Sequence, residues 1–117
     1  MSIQRLEKGP RMSQAVVHGG TVYLAGQVCD EGCGPDVFEQ TRQTLASIDR
    51  LLALAGSSKA KLLSATIFLT DMDTFGDMNR AWEAWVDPAH PPARATVHTA
   101  RLASAEYRVE IVVVAAV

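Results

Sequence analysis

Hydrophobic and polar positions along the 117-residue chain follow two periods, and the switches between them mark its elements. Residues 13–18 and 21–27 are apolar and β-branched runs separated by Gly19-Gly20, the two-residue signal of a β-hairpin. A shorter strand is expected at residues 3–6, interrupted by Gly9-Pro10. Past a loop at 29–35, Asp36 followed by Glu39 reads as a helix N-cap. Val37, Thr41, Leu45, Ile48, Leu52 and Ala55 then recur at spacings of three and four as one apolar stripe, and Gly56 supplies a stop. Residues 62–70 return to period two, with Leu63, Ala65, Ile67 and Leu69 on the expected buried face. A second helix, capped by Asp73 or Thr74, carries Phe75, Met78, Trp82 and Trp85 at helical spacing, the tryptophans serving the core or a subunit contact. Pro88 and Pro91-Pro92 end it and lead into two strands, at 91–98 and 107–114.

This order predicts an α+β fold, or a split α/β arrangement, with one mixed sheet and two helices covering one of its faces. The opposite face has no helix left to cover it and yet carries Val112 and Val114. A partner subunit is the simplest cover.

Two charges interrupt the last strands. Alternation places Glu110 with Arg108, Val112 and Val114, and Arg94 with Thr96 and His98. If these sequential strands pair, Arg94 and Glu110 meet in one pocket. Such a pair is either an edge-strand salt bridge or a functional couple, with the Arg94 fork gripping a carboxylate and Glu110 moving protons. Spacing does not choose between them. His98 shares the Arg94 face, where a hydrogen-bonded structural role is expected.

Length and 48% hydrophobic content suit one domain spanning 1–117. Net charge of −2, from 11 basic and 13 acidic residues, offers no basic stripe for nucleic acid, and no run is long enough to span a membrane. The first eight residues lack the apolar core of a signal peptide, so a cytoplasmic protein is expected. Cys29 and Cys33 are read as loop thiols, because His18, His90 and His98 are too scattered to complete a metal site with them and a reducing compartment disfavours a disulfide.

Several stretches together resemble the Rid family (the YjgF/YER057c/UK114 proteins): Gly26-Gln27, Gln40-Thr41-Arg42-Gln43-Thr44-Leu45, Phe68-Leu69-Thr70-Asp71-Met72 with Phe75 and Asn79, Pro92-Ala93-Arg94, Ala100-Arg101-Leu102 and Val109-Glu110-Ile111. The resemblance implies a chorismate mutase-like fold, a homotrimer around a central barrel and a site in each cleft between subunits. It further implies cofactor-free, metal-free hydrolysis of small 2-imino or enamine acids to 2-oxo acids and ammonia. Arg94 would bind the carboxylate with help from the Thr96 main-chain N–H, Glu110 would position water, and Asn79 would lie near the cleft. Met12, Ala25 and Thr96 stand where the best-known deaminases carry a tyrosine, a serine and a cysteine, which implies a more apolar pocket and a different substrate side chain. A non-catalytic protein that binds or senses small carboxylates is the alternative reading, and an endoribonuclease-like activity the third.

Overall fold

The computed structural model describes all of residues 1–117. Strands β1 (Gln4–Lys8), β2 (Ser13–His18), β3 (Thr21–Leu24), β4 (Leu62–Leu69), β5 (Ala93–His98) and β6 (Val109–Ala116) form one sheet in the order β1-β2-β3-β6-β4-β5. The β4–β5 pair is parallel and the other pairs are antiparallel, so the sheet is mixed as the pattern predicts. Helices α1 (Val37–Leu54) and α2 (Phe75–Trp85) lie on one face, where Leu45, Ile48, Met78 and Trp82 pack with Val22, Ile67, Ile111 and Val113 in one core. The other face is open: Tyr23 is 50% and Val97 39% exposed, and Phe68, Val112 and Val114 are half-buried.

Local chemistry explains where the elements begin and end. Asp36 accepts a hydrogen bond from the Phe38 N–H at 3.2 Å and starts α1, while Glu39 turns away from the cap to Arg42 and Gln43. Gly56, at φ 79°, terminates the helix in the left-handed region, as expected. The α1 stripe is wider than the apolar pattern, because Gln40 and Thr44 are fully buried too. Thr44 donates to the Gln40 carbonyl, which removes the cost of its hydroxyl. Before α2, the capping carboxylate is Asp71 rather than Asp73: it accepts from the Asp73 N–H at 2.9 Å, and Thr74 makes no side-chain cap.

Three other expectations are corrected. A register shift between Leu62 and Ser64 turns Leu62 into the core and leaves Leu63 51% exposed, because a bulge inverts the alternation upstream of it. β3 ends at Leu24, with Gln27 rejoining the sheet only as an isolated bridge to Ile111. Cys29 and Cys33 form a disulfide rather than standing as loop thiols. The turn from Asp30 to Cys33, closed by the Cys33 N–H on the Asp30 carbonyl and bent through Gly32 at φ 76°, brings their Cα atoms to 6.1 Å, within bridging reach. No helix is long and apolar enough to cross a membrane.

Candidate functional site

β5 and β6 do not pair; β4 lies between them. Connecting parallel β4 to β5 through α2 uses one side of β4, and antiparallel β6 takes the other. Arg94 stands opposite Ala65 and Glu110 opposite Phe68. Ala65 is 2% exposed and faces the helices, so Arg94 points to the helix side, whereas Glu110 shares the open face with Phe68, Val112 and Val114. With two inter-strand steps and three residues along the strands between them, the two Cα atoms are about 14 Å apart. The condition for a pocket shared through strand pairing is therefore not met, and no salt bridge joins the two residues within one chain.

Each charge instead has its own setting. Half-buried on the sheet edge, Arg94 holds its guanidinium 5.4 Å from the Trp82 ring centroid and 5.9 Å from that of Phe75. It joins none of the ion pairs, which go to Arg42, Arg50, Arg80 and His90. Burial pulls its pKa below the ordinary arginine value, and the field of Glu83 offsets part of that. Asn79 is half-buried on the same helical stripe as Phe75 and Trp82, four and three residues away, and so lies on the Arg94 side of α2. Thr96, two residues along β5, has a buried hydroxyl with no hydrogen-bond partner. The Thr99 N–H donates to the Leu69 carbonyl, so alternation along a parallel pair turns the Thr96 N–H the opposite way, off the free edge. His98 is exposed on this edge without a side-chain hydrogen bond, which corrects the structural role expected for it.

Glu110 sits over Gly26. A Cβ built on Gly26 would lie 2.9 Å from the Glu110 carboxyl carbon, so only glycine leaves the carboxylate this position. The glycine occupies an irregularity: β3 and β6 pair as Tyr23 with Val114, but Gln27 pairs with Ile111, one residue out of that register. Continuing the β2–β3 register brings Gln14 beside Ala25, and the Ala25 N–H donates to the Gln14 carbonyl at 2.9 Å. Met12, 55% exposed, follows two residues away in the turn between β1 and β2. By parity Ala25 and Glu110 share the open face, while Met12 borders a pocket with Glu7 and Gln14.

The candidate residues of one chain thus fall into separate groups: Arg94, Thr96 and Asn79 on the β5 edge, Glu110 and Ala25 on the open face, and Met12 in the turn between β1 and β2. Sequence reasoning missed Gly26 as the support of Glu110 and the Phe75–Trp82 walls around Arg94. The stripe of Phe75, Asn79 and Trp82 carries the second signal, although its spacing alone points Trp82 to the core or a subunit contact.

An Endoribonuclease L-PSP family model matches residues 2–117. The chain is 47% identical over 117 residues to the RutC family protein YoaB of Escherichia coli strain K12, covering 100% of both chains. It is 44% identical over 115 residues to a RutC family protein of Haemophilus influenzae, covering 98% of each. Among solved structures, a member of the YjgF protein family from Neisseria meningitidis superposes with a TM-score of 0.94 at 45% identity, over 99% of this chain and 95% of that one. YyfA of Yersinia pestis, a Rid-family protein of unknown function, superposes with a TM-score of 0.93 at 30% identity, over 99% of this chain and 100% of that one. With matches that span nearly its whole length, the chain belongs to the Endoribonuclease L-PSP family, the group of the RutC, YjgF and Rid proteins.

Proposed function

We propose that the chain is a cofactor-free imine/enamine deaminase, working in clefts where the Arg94 half-site of one subunit meets the Glu110 half-site of the next in a homotrimer. The observation that carries this reading is Arg94: a half-buried guanidinium against two aromatic rings, in no ion pair with a carboxylate of its own chain. Such a group is kept for an anion from outside, and a planar fork matches a carboxylate. The outward-turned Thr96 N–H adds a second donor on the same edge.

A 2-imino acid bound this way holds its C=N carbon away from Arg94, toward the carboxylate of the facing Glu110. An enamine first tautomerises to the imine, gaining a proton at carbon as nitrogen loses one. Water then adds to the imine carbon, Glu110 accepting the water proton and returning it to nitrogen. Collapse of the carbinolamine forms the carbonyl and expels ammonia, leaving a 2-oxo acid. The electrophile is the substrate itself, so orientation and one proton relay are what the protein must supply. Ala25 at the Glu110 half-site offers no hydroxyl and Met12 no phenol, which favours an apolar side chain.

The test feeds a panel of amino acids to an amino-acid oxidase and follows ammonia release with wild type and with Arg94→Ala. Loss of the acceleration in the variant, with its oligomer intact, is expected. Acceleration unchanged by Arg94→Ala would overturn the proposal. Saturable 2-oxo acid binding by the wild type without acceleration would replace it with a binding or sensing role.

A further inference from the structure

A second place for an anion lies away from Arg94. The ten residues joining β5 to β6 form, with Thr70, an open pocket of about 340 Å³. Its wall combines Arg101 and Arg108 with the hydroxyl residues Thr70, Ser104 and Tyr107 and the apolar Leu102. No aspartate or glutamate lines it, although the chain has more acidic than basic residues. Neither arginine joins an ion pair; Glu106 lines the adjoining pocket with Arg108 and makes none with it. Arg101, in the Ala100-Arg101-Leu102 stretch, has no role in the deamination proposed above.

The backbone that carries the two arginines is held in place. At the start of the loop the Thr99 N–H donates to the Leu69 carbonyl at 2.9 Å, and at its end the Thr70 N–H donates to the Arg108 carbonyl at 3.2 Å. The Tyr107 N–H closes a turn onto the Ser104 carbonyl at 3.1 Å. Beneath them the fully buried Gln40 side chain accepts from the Arg108 N–H at 2.8 Å and donates to the Glu106 carbonyl at 2.9 Å. The backbone frame is thus set before a ligand arrives, while the two guanidiniums, both exposed, are left to turn toward it.

We propose that this pocket binds a small phosphate monoester, its oxyanion shared by Arg101 and Arg108 and its carbon body against Leu102. Two guanidinium forks can each take two oxygens of one phosphate, and the doubly charged head matches two cations where a single carboxylate would leave one uncompensated. The volume fits a ligand at the small end of the usual range. The proposal rests on neither Arg94 nor Glu110.

The experiment is a titration of the whole protein, followed by backbone amide NMR at constant ionic strength, with phenyl phosphate, inorganic phosphate and, as control, chloride. Saturable shifts confined to residues 99–108 and Thr70 are expected, tighter with phenyl phosphate than with inorganic phosphate. Arg101→Ala and Arg108→Ala should each weaken binding by about tenfold, and Arg101→Lys by less, with imine turnover unchanged. Equal response to inorganic phosphate and the ester would overturn the monoester and leave a bare phosphate site. No saturation by about 10 mM, or an unaltered response in the double alanine variant, would overturn the site itself.

Discussion

Substituting Gly26 by alanine separates the position of Glu110 from the stability of the fold. The added Cβ would stand 2.9 Å from the Glu110 carboxyl carbon and 3.2 Å from its Cγ. Ordinary carbon contacts begin near 3.5 Å, so the carboxyl carbon must retreat by roughly 0.6 Å and its nearer oxygen by more. Gly26 is not among the glycines at positive φ, so alanine meets no backbone penalty there. The obstruction is the end of a half-buried flexible side chain, which can swing away, so the cost to stability should stay near 1 kcal/mol, the low end for overpacking. Catalysis has no such tolerance: displacing an acid–base group by this much costs about 100-fold. Urea denaturation and the oxidase-coupled ammonia assay, run on the same preparation, read the two quantities. A variant that keeps wild-type turnover would refute the role given to Glu110, whatever its stability.

Three further outcomes follow from single contacts. Gln40→Leu deletes a fully buried amide that holds the Gly34 and Glu106 carbonyls and the Arg108 N–H, and it should cost about 3 kcal/mol by urea denaturation; a loss under about 1 kcal/mol would show that these loops are held otherwise. Replacing Thr96 by valine removes a buried hydroxyl that has no partner while keeping the main-chain N–H, so stability should hold or rise by up to about 1 kcal/mol and turnover should persist. Glu39 is held at a pKa of about 2, against an ordinary 4.5, by hydrogen bonds from Arg42 and then Gln43. Its folded pKa is depressed, so its contribution is present above pH 4.5 and is lost as pH falls toward 2. Glu39→Gln should therefore flatten the acid limb of stability in that window, and an NMR titration of the wild type should find the Glu39 midpoint near its lower end.

Much of the fold was legible because alternation and capping are local. The Gly19-Gly20 hairpin, the Asp36 cap, the Gly56 stop and both helices stand where the pattern puts them. Strand order is not legible in the sequence, because two rules compete. Sequential strands tend to pair, which favoured β5 beside β6, but a strand–helix–strand unit sets β4 and β5 parallel and adjacent, and that unit prevailed. The ten residues between β5 and β6, too many for a tight hairpin, were the available warning. Leu63 failed for a different reason: a bulge inverts alternation without leaving a mark in composition. The disulfide was rejected on compartment, whereas the turn that brings its cysteines together is a matter of local geometry.

The separation of Arg94 from Glu110 turns the assembly itself into a prediction. The two half-sites lie on different surfaces of one chain, so joining them between copies is a head-to-tail contact, which must close into a ring to remain a defined particle. In a closed ring every cleft takes Arg94 from one subunit and Glu110 from its neighbour. Arg94→Ala and Glu110→Gln should each be inactive alone. When the two are unfolded together in equal amounts and reassembled, a cleft is intact if its arginine comes from the Glu110→Gln chain and its glutamate from the Arg94→Ala chain, which random mixing produces in about a quarter of clefts. Activity near a quarter of wild type should therefore return. A site contained in one chain could never be repaired this way, so a mixture that reassembles with wild-type size and stays inactive would refute the shared cleft.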